Sequence, residues 1–232
     1  MPNPRAAARL PEGPLRSLAR RLAGLALLLW LSAALSLAAM RWVNPPTTAL
    51  QLQRRVEAAL ADKPYAKRSQ FVPLRAISPD LQHAVIAAED ARFYRHHGFD
   101  WHAMEIAAED DMHGGRLRGG STLTQQLVKN LLLGAERSYL RKAAEATLVP
   151  LAELALGKQR ILELYLNVVE WGPGVYGAEA ASRFYFHTSA RRLSRIQAAE
   201  LAAILPAPRR RRPERMARYS GLIQERMRQM GW

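Results

Sequence analysis

Arg118-Gly-Gly-Ser-Thr-Leu-Thr-Gln-Gln-Leu-Val-Lys129-Asn130 is the stretch from which the chain becomes readable. Gly119-Gly120 opens a helix. Ser121 and Thr122 are the capping candidates, Thr122 with Gln125 three places on as a capping box. Along that helix Ser121, Gln125 and Lys129 share one ridge, and Thr122, Gln126 and Asn130 share the next. Leu123, Leu127 and Leu131 form the apolar ridge beside them. Two adjoining ridges of amide, hydroxyl and ammonium groups make a groove floor suited to sugar and phosphate oxygens. An ordinary exposed helix face would read the same way.

Upstream, Ser78-Pro79-Asp80 reads as a helix start, with a capping hydroxyl, a first-turn proline and an acid at the positive end of the dipole. Leu81, Val85 and Glu89 then fall on one stripe. A carboxylate that continues an apolar stripe is costly to ionise, so its pKa should rise and suit it to accept a proton near neutrality. Asp90 points about 100° away, so the two acids cannot act as one unit. Phe93, His96 and Gly98 complete the pattern Glu-Asp-x-x-Phe-x-x-His-x-Gly. Taken alone, such an acidic pair is also what a solvated helix end looks like. No second histidine or acid stands at the i+4 spacing of zinc sites, which argues against a metal-dependent hydrolase.

Between the two clusters, Phe99, Trp101 and Met104 precede a glycine-dense run, Gly114-Gly-Arg-Leu-Arg-Gly-Gly120, and form either core or a membrane-facing lip. Downstream come Arg137, Arg141, Lys142 and Glu145. Arg141 and Lys142 reach Glu145 at i+4 and i+3, in the order less favourable to helix stability. A surface ion pair is the ordinary outcome of that spacing. Pro150 should kink or end the helix.

The chain has 232 residues, no cysteine and a formal net charge of +14, most of it beyond residue 21. Leu22 to Met40 carries no charge and suits a bilayer-spanning helix. Arg5, Arg9, Arg16, Arg20 and Arg21 before it place that end in the cytoplasm and export the rest. A cleaved signal peptide is the rival, but its apolar region would be shorter. The excess of basic residues suggests an anionic partner, and export argues against nucleic acid. The expected organisation is a tail over 1–21, an anchor over 22–40, a membrane-proximal linker over 41–75 and a catalytic domain over 76–232. Alanine and leucine dominate from Leu50 onward without sustained alternation, so the fold class is mostly α with few strands.

Together these segments resemble glycosyltransferase family 51, the peptidoglycan polymerases, and in particular its monofunctional membrane-anchored members. The pieces run in order: Glu89 to Gly98, Arg118 to Asn130, Arg141-Lys-x-x-Glu145, Lys158-x-x-Ile161-Leu-x-x-Tyr-Leu-Asn167 and Ala198 to Pro208. The resemblance implies a lysozyme-like α-helical lobe and a small membrane-proximal jaw over Phe99–Gly120. It implies lipid II and the growing glycan strand as substrates, the inner membrane as location, and an outward-facing catalytic domain. Carried over by position, Glu89 is the general base. Lys129 and Arg137 hold the departing pyrophosphate, joined by Arg118, Arg141, Lys142 and Asn130. Glu145 organises that pocket and is the candidate ligand if a divalent cation, magnesium or manganese, takes part. No organic cofactor is expected. Ser121, Thr122, Gln125 and Gln126 line the cleft, while Asp90, Phe93, His96, Gly98, Tyr165, Asn167 and Glu170 brace it. Cell-wall transpeptidases and division proteins are candidate partners.

Pro150 and the run Arg209-Arg-Arg-Arg212 depart from the family pattern, the run reading as solvated or lipid-touching. No Ser-x-x-Lys motif follows, so polymerisation without cross-linking is expected. A lytic hydrolase, which would need a protonated acid for its alkoxide leaving group, and a membrane-tethered scaffold are the alternatives.

Overall fold

A computed structural model describes residues 14–112, 120–136 and 138–232. Arg118 and Arg137, and the first thirteen residues of the expected tail, lie outside the described residues.

The protein is mostly α-helical. α1 (Pro14–Ala39) begins before the charge-free stretch, and its Leu15–Ala39 portion is long and apolar enough to cross a membrane. It does not stand apart from the rest. Trp30 Nε1 donates to Thr147 Oγ1 at 3.0 Å, and the Arg41 guanidinium donates to the Ala155 carbonyl at 3.1 Å. Arg160 donates to the Met40 carbonyl and to Asn44 Oδ1, both at 2.8 Å. The exit from the anchor is therefore tied to one long helix, α6 (Tyr139–Val168).

The membrane-proximal segment is more ordered than a linker. It contains α2 (Ala49–Leu60), capped by Thr48, and the short strand β1 (Arg68–Ser69). β1 pairs in parallel with β3 (Val175–Tyr176), which pairs antiparallel with β2 (Glu170–Gly172).

α5 (Leu123–Val128) packs along α6 and α7 (Ala178–Phe186) touches it, while α3 (Pro79–Glu89) packs with α8 (Arg195–Ile204) and α9 (Ala217–Gln229); α4 (Trp101–Met112) falls in the segment expected to form the jaw. The core joins Leu81 and Val85 of α3, Leu123 and Leu127 of α5, Leu148 and Ala152 of α6, and Leu201 of α8, all fully buried or nearly so. These are the apolar stripes expected for half-buried helices. Trp101 is exposed and stacks on half-buried Phe99, which packs against the core.

Two expectations need correction. Pro150 does not end α6: its ring is exposed, and Ala146, whose carbonyl loses a partner, faces solvent too. The helix breaks instead at Gly157, whose φ of 71° and ψ of 162° suit glycine alone. Ser78 does precede α3, with Pro79 in the first turn, but its hydroxyl donates to the Leu193 carbonyl instead of capping.

Candidate active site

Glu89 is the last residue of α3 and is half-buried. The chain turns at Asp90 (φ −157°, ψ 71°), whose buried carboxylate has a different task from its neighbour's. Its oxygens lie 2.9 and 3.0 Å from His96 Nε2, and one also accepts the Leu123 N–H at 2.9 Å. His96 Nδ1 accepts from the Gly98 N–H, which leaves the ring proton on Nε2, facing Asp90. An anion at the first turn of α5 satisfies a donor that the helix cannot.

The same joint is closed by Thr122, which donates to the Gly98 carbonyl at 2.6 Å and forms the capping box with Gln125. Gly98 has φ +96°, and a Cβ there would come within 2.5 Å of Val149 Cγ1. Phe93 is fully buried beneath Lys158, whose ammonium also pairs with Glu153. Asp90, Phe93, His96 and Gly98 thus lie at the junction of α3 with α5.

The two polar ridges do not both face a groove. Thr122, Gln125 and Asn130 are buried, and Gln125 turns back on its own cap because the box needs it there. Gln126 instead makes the contact that matters: its Nε2 donates to Glu89 Oε2 at 3.0 Å, while its Oε1 accepts from the Tyr165 hydroxyl at 3.0 Å. Desolvation raises the Glu89 pKa, against the Gln126 bond and the charges of Lys129 and Arg211, with Asp90 adding to the rise. Desolvation also pushes Tyr165 well above its ordinary value, so it stays a donor.

After α5 the backbone widens into a π turn, Lys129–Leu133, closed by Gly134, whose N–H reaches the Lys129 carbonyl at 2.8 Å. Such turns gather at functional sites, and this one begins at Lys129. Burial lowers the Lys129 pKa, Glu145 and Glu89 oppose the drop, and Arg141 and Lys142 reinforce it. Glu145 is buried, accepting from Arg141 Nη1 at 2.6 Å and from Lys142 Nζ at 2.5 Å. Lys129 therefore lies within electrostatic range of both acids.

Glu89 also opens on a cleft of about 180 Å³ whose walls include Arg92, Asp100, His102, Ile106 and Ser121. Of the expected cleft residues, Ser121 is there. Arg92, Asp100 and His102 were missed, and only their closeness to Glu89 or to the jaw pointed to them. Asp100 pairs with Arg92 at 3.3 Å and caps α4 through the Ala103 N–H.

Asn167 clamps the Val72 backbone, accepting from its N–H and donating to its carbonyl. Glu170 does not belong to this cleft; it pairs with Arg54 elsewhere. The arginine run is also not simply solvated: Arg211 is half-buried, donates to the Ala203 carbonyl at 2.8 Å and covers the Tyr219 ring.

A divalent cation does not fit at Glu145. Both carboxylate oxygens accept from cationic side chains, and among the described residues no group of three histidines or acids could hold a metal.

A carboxylate whose proton affinity burial raises, in a helical domain that also holds an arginine-lysine-glutamate cluster and follows a helix long and apolar enough to cross a membrane, suits a group-transferring enzyme. The family model described as Transglycosylase matches residues 55–230, and the chain belongs to that family. It is 47% identical over 221 residues to the biosynthetic peptidoglycan transglycosylase of Ectopseudomonas mendocina, covering 94% of this chain and 91% of the relative. The protein of the same name from Pseudomonas putida strain W619 is 46% identical over 223 residues, 94% of each chain.

Proposed function

We propose that the protein polymerises lipid II into β-1,4 glycan strands of peptidoglycan on the outer face of the cytoplasmic membrane, releasing undecaprenyl pyrophosphate. Glu89 removes the proton from the acceptor's 4-hydroxyl as that oxygen forms its bond to the anomeric carbon of the donor sugar. The bond from that carbon to the pyrophosphate breaks with inversion, and the electron pair leaves on the phosphate oxygen. Lys129, with Arg141 and Lys142, takes up the charge of the leaving group; Arg137, expected to share this task, lies outside the described residues. Glu145 keeps these cations together and Lys129 protonated. Pyrophosphate held this way needs no protonated acid. No step passes through a metal. α1 is the single-pass anchor.

The observation that supports this reading is the Glu89 carboxylate held by Gln126 Nε2 at 3.0 Å, three residues before Lys129. Purified full-length protein supplied with lipid II should yield polymer and undecaprenyl pyrophosphate. Release of soluble muropeptides from finished sacculi, without use of lipid II, would overturn the reading in favour of a hydrolase.

A further inference from the structure

A second and larger cleft, about 410 Å³, is lined by α2, the return to β1 and the β2–β3 turn. Four cations line it, Arg54, Lys63, Arg68 and Arg209, against two carboxylates, Glu57 and Glu170. Their pairing is uneven. Arg54 is spent, donating to Glu57 at 2.8 Å and to Glu170 at 3.2 Å. Arg209 approaches Glu57 only to 3.8 Å. Lys63 and Arg68 are exposed and have no carboxylate partner among the described residues, Arg68 lying instead over the Phe184 ring. The walls between are flat and apolar, from Pro64, Tyr65 and Pro173.

Unpaired cations at the rim suit carboxylates. The paired acids within suit hydroxyl and amide donors, and flat apolar walls suit the C–H faces of sugar rings. Cations at the rim would accept phosphate as well, which the comparison probes separate from carboxylate. The cleft also adjoins the transfer site through two elements. Gln53 of α2 accepts from the Ala135 N–H at 2.6 Å, just past the π turn, and Arg209 stands two residues before Arg211, whose charge reaches Glu89.

We infer that this cleft is a docking site for the anionic polymer, taking a glycan segment whose attached peptide bears free carboxylates. The inference rests on the polymerase reading for the identity of that polymer. The test titrates full-length protein in detergent micelles with a soluble disaccharide-peptide fragment of peptidoglycan, by calorimetry. The comparison probes are the same fragment with its carboxylates amidated, inorganic phosphate, and phosphatidylglycerol vesicles.

The double substitution Lys63→Gln with Arg68→Gln should weaken the free-acid fragment at least five-fold without lowering the melting temperature, and amidation should weaken binding to the original chain similarly. Equal binding of the amidated fragment, undiminished binding by the double variant, or a variant effect seen only with phosphate or vesicles would each overturn the inference. Binding of the fragment by a protein that fails to polymerise lipid II would retain the site and remove the polymerase reading. Polymerisation without fragment binding would do the reverse.

Discussion

The side-chain amide of Gln126 bridges Glu89 to Tyr165, donating to the carboxylate at 3.0 Å and accepting from the phenol at 3.0 Å. The orientation of the amide follows from the carboxylate, because an ionised Glu89 can only accept, whereas the phenol can donate or accept. The Nε2 group must therefore face Glu89. That single donor favours the ionised carboxylate in a setting that otherwise disfavours it, and the base is kept reactive without being neutralised by a full ion pair.

Replacing Glu89 by glutamine should keep the bond from Gln126, since an amide oxygen can accept it. Polymerisation should fall by at least about 10²-fold, the typical contribution of a positioned base. The fold should gain stability, not lose it. A carboxylate whose pKa is raised on folding contributes stability below its unfolded pKa and loses it as pH rises through the folded value. The variant should therefore melt higher than the original chain at neutral pH and equally at acid pH. Calorimetric melts across the pH range check this, and a lower melting temperature at neutrality would contradict the burial of Glu89.

The rate should also be narrowed by pH from both sides. Glu89 must be ionised to act, so kcat/KM should rise through a pKa above the ordinary carboxylate range. Lys129 must be protonated, so kcat/KM should fall through a pKa below that of an ordinary lysine. Gln126→Leu removes the bond that lowers the Glu89 pKa and should move the acid limb upward while leaving the alkaline limb in place. An acid limb that stays still would show that Glu89 is not the titrating base.

These relationships were unevenly legible in the chain. The capping box at Thr122 and Gln125 was readable because it depends on residues three apart, and the stripe of Leu81, Val85 and Glu89 because burial follows helical period. The same rules could not say which polar ridge would be used internally. Gln125 was assigned to the cleft, yet it is buried in its own cap, while Gln126 beside it faces the base. Arg211 was hidden for a related reason. A run of four arginines looks solvated, and only the fold reveals that one of them is held by the Ala203 carbonyl within range of Glu89. The break in α6 fell at Gly157, not Pro150, because exposure on the proline side makes a missing hydrogen bond tolerable.

Asp90 is expected to matter to stability more than to chemistry. Asp90→Ala would leave the buried His96 ring N–H and the Leu123 N–H without their acceptor, at roughly 1–3 kcal/mol for each unsatisfied group. The urea midpoint should drop markedly, and activity per folded molecule should fall less than in Glu89→Gln. A variant as stable as the original chain would mean that the junction of α3 and α5 is held by Thr122 and Gly98 alone.

Tyr165→Phe separates support from chemistry. It deletes one hydroxyl, leaves the core ring in place and frees Gln126 Oε1, at about 1–2 kcal/mol for a buried acceptor left unpaired. The amide can then turn, and a turned amide would present its oxygen to Glu89. Two acceptors facing each other favour the protonated acid, so the acid limb of kcat/KM should move upward, as in Gln126→Leu, with KM little altered. An unchanged profile would mean that the orientation of Gln126 is set by something other than the phenol.

Glu145 distinguishes a charge-balancing role from a second proton-transferring role. It accepts from Arg141 and Lys142 and raises the Lys129 pKa against burial and against those same two cations. In Glu145→Gln the opposing charge disappears, so Lys129 should lose its proton at lower pH. The alkaline limb should then shift downward, with kcat reduced at neutral pH and partly recovered at more acid pH. If Glu145 itself exchanged a proton with substrate, the substitution would instead abolish turnover at every pH and leave no limb to move. Partial recovery on acidification therefore assigns Glu145 to holding the leaving-group cations, while uniform loss would place it among the reacting groups and require a different mechanism.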